Sequence, residues 1–361
     1  MQKIHLLNFR NFYKKTQTFS PDGKKKIKFL VIRFSSIGDI VLASPVLRCL
    51  KNQVPLSEIH FLTKLSFKMV TASNPYIDKF FYFDSNLKEL IENLTNENYD
   101  YIIDLQDNLR SGKIKRALKI KSFTVNKLTI EKFFLTKFHI DFMPGIHITQ
   151  RSLNTLQYFG VKDDGYGLDY FIPKEDEVNE SDIPTSHIAG YIALVIGASY
   201  PTKKLPVYKL QELCSKVNFP IILIGGETDF EEGKLVAEVD AIKVYNACGK
   251  FNLNESADLV RRSRLVVSHD TGLQYIACAF QKPVLAIWGT TSPKLDVEPY
   301  YGSRFIEGQK GFIYENILVP GLKCQPCSKY GIEKCPLGHF NCMNKQNIDA
   351  IVAKIHSLVN K

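Results

Sequence analysis

One alternation of strand-like and helix-like segments, begun twice along the chain, limits the fold more than any other feature. Strands are expected at 27–33, 58–62, 79–83, 99–104 and 120–125, with helical periodicity between them at 41–53, 65–73, 86–95 and 110–118. A further helix is expected at 148–159. After a connection at 161–188 that is acidic and poor in apolar residues, strands recur at 190–196, 220–224, 241–245, 264–268 and 283–288. Helices fall among these at 206–217, 229–239, 254–262 and 272–280. Strand, helix, strand with short links implies right-handed βαβ units and parallel sheets. The expected organisation is a basic extension at 1–26, two doubly wound Rossmann-like α/β domains at 27–180 and 181–345, and a terminal amphipathic helix at 346–361. The basic, aromatic stretch 126–146 departs from this pattern and reads as an irregular insertion able to meet a substrate.

In open α/β sheets, chemistry gathers beyond the carboxyl ends of the strands. The first strand of the first half ends in Arg33-Phe34-Ser35-Ser36-Ile37-Gly38-Asp39, with two hydroxyls, a glycine and one carboxylate. Asp39 is either a helix cap or a reactive carboxylate. The fourth strand ends in the polar tip Asp104-Leu105-Gln106-Asp107-Asn108-Leu109-Arg110. In the second half, Ser268-His269-Asp270-Thr271-Gly272 leads from strand to helix, where first-turn amides bind anions or are capped by Asp270 or Thr271. Gly197 to Pro206 adds Thr202, Lys203 and Lys204 after the first strand of that half, and Gly225-Gly226-Glu227 follows the second. A carboxylate such as Glu227 can accept hydrogen bonds from ribose hydroxyls.

The length of 361 residues suits two domains with separate cores. No apolar run is long enough to span a bilayer, and the expectation is a cytoplasmic protein. The formal charge of +10 favours an acidic partner: a phosphorylated substrate, an anionic lipid or a nucleic acid. Residues 1–26 interleave lysines with Leu6, Leu7, Phe9, Phe12 and Tyr13, a composition that suits either a peripheral membrane contact or a poorly ordered tail. Of the eight cysteines, Cys49, Cys214, Cys248 and Cys278 lie in apolar segments. Cys324, Cys327, Cys335 and Cys342 form C-x2-C-x7-C-x6-C around His339; the spacing allows a structural zinc site, reduced thiols or a disulfide.

Taken together these segments resemble glycosyltransferase family 9, the heptosyltransferases of the lipopolysaccharide inner core. The resemblance covers about residues 27–345 and rests on Ser268 to Leu273 continuing through Gly289-Thr290-Thr291-Ser292-Pro293, on Arg33 to Asp39, and on Ile103-Asp104-Leu105-Gln106. It implies a GT-B architecture, two Rossmann-like domains facing across a cleft, with acceptor on the first and nucleotide sugar on the second. It implies Asp39 as catalytic base, Lys203 and Thr202 at the donor phosphates, Glu227 at the ribose, Phe251 at the adenine edge and Asp270-Thr271-Gly272 at the diphosphate. Ser35, Ser36, Gly38, Gln106 and Arg110 fall on the acceptor side. The family usually has histidine where this chain has Tyr275, whose hydroxyl could still donate to phosphate; Gln274 and His269 also depart from the pattern.

The expected reaction is a single inverting displacement that moves a heptose from ADP-heptose to a lipopolysaccharide core acceptor. It needs no cofactor and no catalytic metal, and the setting implied is the cytoplasmic face of the inner membrane. The alternatives are the same fold with another nucleotide sugar or glycan acceptor, and a basic nucleic-acid-binding protein with a structural zinc site. For the latter no RNP-type sheet, helix-turn-helix or finger spacing is present. A dinucleotide-dependent dehydrogenase lacks G-x-G-x-x-G after either opening strand. The sequence does not select an oligomeric state.

Overall fold

The structure, a computed structural model, describes residues 26–309 and 311–359. Apart from Lys26, the basic N-terminal extension lies outside the described residues. The chain divides into two compact units: residues 1–127 with 148–165, and 128–147 with 166–361. The main boundary therefore falls after Gly165 rather than at the expected 180, and the acidic connection belongs to the second unit. One reason is that Asn252 and Asn254 bind Asp176 while Asp258 accepts from Val178 N, tying that connection to the second unit's own helix.

The first unit carries a five-stranded parallel sheet: β1 (Ile27–Ile32), β2 (Ser57–Lys64), β3 (Lys79–Phe83), β4 (Tyr101–Asp104) and β5 (Lys121–Thr124), in the order β3-β2-β1-β4-β5. Side chains of a strand alternate between faces, so both faces of β1 must be covered. Ile27, Phe29 and Val31 pack in one core with Val46, Leu47 and Leu50 from helix Ser44–Gln53, while Leu30 and Ile32 pack in another with Leu90, Leu94 and Ile114.

The second unit carries six parallel strands: β6 (Ile192–Val195), β7 (Ile221–Ile224), β8 (Val244–Asn246), β9 (Leu265–His269), β10 (Val284–Ile287) and β11 (Tyr314–Ile317), in the order β11-β10-β9-β6-β7-β8. The last helix, Ile348–Val359, places Ile348, Ile351, Val352, Ile355 and Val359 in the same core as β6 and β9, so it is part of this unit and not an appendage.

Three local readings need correction. The helix expected at 41–53 begins at Ile37 and breaks at Ala43 into Ile37–Leu42 and Ser44–Gln53. Strand β11 was not expected, because Tyr-Glu-Asn-Ile is half-buried throughout and carries no apolar run. The stretch 126–146 is not irregular throughout: Thr129–Phe138 is a helix. It starts and stops on left-handed Leu128 and His139, neither of which is a usual helix-end residue.

Candidate active site

In each sheet the strand order reverses direction once, and loops diverging from that point leave a crevice at the carboxyl edge. In the first unit the reversal lies between β1 and β4. The loop after β1 carries Asp39, and the loop after β4 carries Gln106 and Arg110. Ser36 starts helix Ile37–Leu42, and Asp39 Oδ2 accepts from both Ser36 N (3.0 Å) and Ser36 Oγ (2.8 Å). Its other oxygen lies 2.6 Å from Arg33 Nη2. Asp39 thus does serve the helix start, and it also remains 38% exposed at the sheet edge. Burial of the carboxyl pushes its pKa up, but the Arg33 guanidinium and the Ser36 donors outweigh that, and the net shift is downward. At neutral pH it is an ionised acceptor held in one orientation.

The remaining residues expected on the acceptor side mostly hold this loop. Gln106 Oε1 accepts from Phe34 N (2.8 Å) and Ser35 N (3.4 Å), and Ser35 O accepts from Arg33 Nε at 3.0 Å. Gly38 is buried inside the short helix. Arg110 lies over the rings of Phe34 (5.1 Å) and Phe83 (4.5 Å). Asp104, fully buried, accepts from the amides of Gln106 and Asp107 and pairs with Lys115 at 2.7 Å, which fixes the turn after β4. One further cation comes from the basic stretch 126–146. Lys127, after β5, donates to the Gln106 carbonyl at 2.8 Å; burial, then the like charge of Arg33, lowers its pKa. Its place just past a strand end was the available signal.

In the second unit the reversal lies between β6 and β9, and the expected donor residues flank it. Lys203 Nζ, from the loop after β6, is 2.7 Å from Asp270 Oδ2, from the loop after β9. The same oxygen accepts from Thr291 Oγ1 at 2.8 Å, a residue after β10 to which no role had been given. Both charged side chains are 11% exposed. Asp270 therefore orients Lys203 and does not itself suit contact with an anion. Neither Asp270 nor Thr271 caps helix Gly272–Ala279 through its side chain, so the capping alternative fails and the first-turn amides keep their partial positive charge. Lys204 is committed elsewhere, to Asp229 (2.8 Å) and Glu232.

Thr202 departs from expectation. It is buried and bonded to Thr290 Oγ1 (3.1 Å) and Ile332 N (3.0 Å), so its hydroxyl braces the loop instead of facing a phosphate. Gly289 permits that brace: a Cβ there would collide with the Thr202 carbonyl. Tyr275 is likewise turned away, donating to the Val297 carbonyl at 2.6 Å, with Asp270 Oδ1 at 3.5 Å. Glu227 is exposed after β7, and its carboxylate has no partner among the described residues. Gly249, in the loop after β8, packs so closely on the Glu227 backbone that a Cβ would meet its Cα at 3.0 Å. Phe251 is half-buried two residues further on, so Glu227 and Phe251 occupy adjoining loops of one edge.

His269 holds the cradle together. It is buried, and its Nε2 accepts from Leu205 N at 2.9 Å, fastening the lysine loop to the end of β9. Burial, with Lys204 and Lys203 nearby, pushes its pKa down to about 3. The unfolded chain protonates this histidine near its ordinary value of about 6.5, and the folded chain does not until about 3. Stability associated with His269 is thus complete above pH 6.5 and declines as pH falls towards 3, by about 2 kcal/mol at pH 5. Urea titrations from pH 7.5 to 5 should show this slope in the native protein and a shallower one in His269→Gln, which keeps an acceptor without the ring; equal slopes would refute it.

None of the four C-terminal cysteines is joined in a disulfide. Cys324, Cys327, Cys335, Cys342 and His339 line one small cavity of about 20 Å³, with Cys324 Sγ 3.9 Å from His339 Nε2. Burial and the neighbouring thiols push Cys327 up to about 11 and Cys342 up to about 12. Such a donor set suits a thiophilic ion. The groups are spread wider than a closed tetrahedral site, since no three of their ligand atoms lie mutually within 4.8 Å. Cys49, Asp163 and Asp164 do come that close, but Asp164 is held by Arg48 through two contacts of 2.8 Å and burial pushes Cys49 up to about 12, so the group reads as structural. The Cys-rich segment is fastened to the donor edge: Cys327 N donates to Thr290 O (3.0 Å), and Gln325 Nε2 to Gly289 O (2.6 Å) and Thr291 O (3.1 Å).

Comparison with known proteins places the chain in a family. The model of "Glycosyltransferase family 9 (heptosyltransferase)" matches residues 87–305, more than half of the chain. Lipopolysaccharide heptosyltransferase 1 of Campylobacter coli is 27% identical over 289 residues, covering 73% of this chain and 84% of that protein. Among solved structures, the Escherichia coli ADP-heptose lipopolysaccharide heptosyltransferase II superposes with a TM-score of 0.68 at 16% identity, covering 92% of this chain and 98% of that one. An Escherichia coli heptosyltransferase determined with ADP superposes with a TM-score of 0.64 at 19% identity, covering 92% and 100%. These likenesses establish a GT-B fold of two Rossmann-like units, and with the family match the chain belongs to glycosyltransferase family 9, the heptosyltransferases.

Proposed function

We propose that this glycosyltransferase moves a heptose from ADP-heptose to a hydroxyl of a lipopolysaccharide inner-core acceptor, inverting the anomeric centre in one displacement. The observation that carries the reading is the pairing of chemistry with topology. The crevice of one unit presents an ionised, oriented carboxylate, and that of the other presents Lys203 with an uncapped helix start. Asp39 would take the proton of the attacking hydroxyl as the new C–O bond forms. Negative charge gathering on the departing diphosphate would be met by Lys203 and the amides of Thr271 and Gly272. Glu227 would hold the ribose hydroxyls and Phe251 the adenine edge. Arg110 and Lys127 give the first unit cations suited to a phosphorylated core sugar.

The test is direct: purified protein incubated with ADP-heptose and truncated lipopolysaccharide should form the heptosylated acceptor, read by mass spectrometry. Transfer from other nucleotide sugars, with none from ADP-heptose, would move the assignment to another family 9 donor.

We further propose that Cys324, Cys327, Cys335 and Cys342 draw in around one structural zinc ion, whose role would be to stiffen the segment that braces Thr202 and Thr290. Metal analysis of purified protein should then give one equivalent per chain, absent from Cys324→Ser/Cys327→Ser. Metal-free protein with four titratable thiols would refute it.

A further inference from the structure

Helix Thr129–Phe138 turns its apolar side outward. Ile130, Phe133, Phe134, Lys137 and Phe138 recur at i, i+3, i+4, i+7 and i+8, the spacing of one helix face. In a globular protein that face is normally inside. Here Leu135 and Thr136, on the other side, are buried, whereas Ile130 is 69%, Phe133 46% and Phe138 58% exposed. The exposure continues beyond the helix, to Phe142 at 60%. The four phenylalanines touch one another: Phe134 packs on Phe133, Phe138 and Phe142 with ring centroids 5.7 to 5.9 Å apart. A pre-assembled aromatic patch of this kind on the surface calls for an apolar partner.

We propose that this patch seats the enzyme on the surface of an anionic phospholipid bilayer. Lys137 decides between a bilayer and a protein. It stands within the apolar face, exposed, one helical turn from Phe133 and Phe134. Lysine is depleted at the centres of protein interfaces, where its charge would be buried, but at a bilayer its stem lies along apolar groups while the ammonium reaches phosphate. Lys329, tethered by its Nζ to the Thr129 carbonyl at 3.0 Å, brings a second cation to the start of the helix. Glu131 and Asp141 offset Lys132 and Lys137 within the segment, so apolar insertion carries the contact and the chain's charge of +10 supplies the long-range attraction. The idea rests on the lipid-borne acceptor proposed above: no helix among the described residues is long and apolar enough to cross a membrane, so such an acceptor has to be met by a surface.

The experiment reads binding without turnover, so it can fail independently of the proposed reaction. Full-length protein is sedimented with vesicles of phosphatidylethanolamine and phosphatidylglycerol, native against Phe133→Ser/Phe138→Ser. Both variants of the chain keep residues 1–26, so a difference reports on the helix alone. Loss of two aromatic anchors should weaken partitioning about ten-fold. Because both positions are solvent-facing, the fold, read by far-ultraviolet circular dichroism, should be unchanged. In a second measurement, Phe138→Trp should shift its emission to the blue on addition of vesicles and be quenched by brominated lipid, against the constant signal of buried Trp288. Undiminished vesicle binding by the double variant, or an emission unmoved by lipid, would overturn the proposal. So would a native dimer that the double variant dissociates while its vesicle binding persists, which would make the patch a contact between copies.

Discussion

Replacing Asp39 by Asn should lower kcat for sugar transfer about 10²- to 10⁴-fold, the range for removing a general base, while leaving the KM for the nucleotide sugar near its native value. The amide can still accept from Ser36 N, so the start of helix Ile37–Leu42 survives. What disappears is the negative charge and the ability to take a proton. The lost contact with Arg33 should cost little folding free energy, because Asp39 is more than a third exposed and such pairs are screened. The pH profile adds a sharper criterion. Burial opposes ionisation, but Arg33 and Ser36 hold the pKa below its usual value, so the group is fully ionised from about pH 5 upward. The base should therefore produce no acid limb between pH 5 and 8. In Arg33→Gln the restraining cation is gone, so Asp39 titrates higher and the acid limb should move up relative to the native enzyme. Steady-state rates across pH for the three proteins check both points. Unchanged turnover in Asp39→Asn would remove the assigned role.

A base with a depressed pKa is intrinsically a weak one, and this bears on the reaction. As the proposed base, Asp39 would not deprotonate a sugar hydroxyl in advance. In that role it would accept the proton only as the hydroxyl becomes acidic through bonding to the anomeric carbon, with the diphosphate leaving at the same time. In the proposed reaction the proton would therefore be taken and the diphosphate released in one concerted step.

What the sequence makes legible here is set by range. The strand edges that carry Asp39 and Asp270 are readable because a buried parallel strand is a continuous apolar run, and its carboxyl end is where the polar residues begin. Asp39 could be read locally as a cap or as a base; the structure shows its contacts to Ser36 at the helix start and a carboxylate that stays part-exposed. Thr202 could not be judged locally, since the groups that occupy its hydroxyl, Thr290 and Ile332, are 88 and 130 residues away in the chain. Thr291 was given no role for the same reason: it matters through a neighbour on another loop. The helix Thr129–Phe138 was hidden by its ends, which lack capping residues, although its apolar spacing is regular.

Lys203→Met should impair both folding and turnover, and the two losses can be separated. Lys203 Nζ is 2.7 Å from Asp270 Oδ2, and both side chains are about nine-tenths removed from solvent. Taking away the ammonium leaves that carboxylate with the Thr291 hydroxyl at 2.8 Å and the more distant Tyr275 hydroxyl. Removing one member of a buried pair typically costs about 3–5 kcal/mol, and partial exposure here places the expected loss at the lower end, visible as a reduced melting temperature. The catalytic loss has another origin, the missing charge opposite the departing diphosphate, and should be about 10²- to 10³-fold in kcat. Lys203→Met/Asp270→Asn removes both charges together. It should recover most of the stability, because no carboxylate is left unpaired, and none of the activity, because nothing replaces the cation. Thermal unfolding and single-turnover rates on the same preparations make the comparison. If the double substitution regains turnover along with stability, Lys203 acts only by neutralising Asp270, and the anion cradle would have to be built from the helix amides alone.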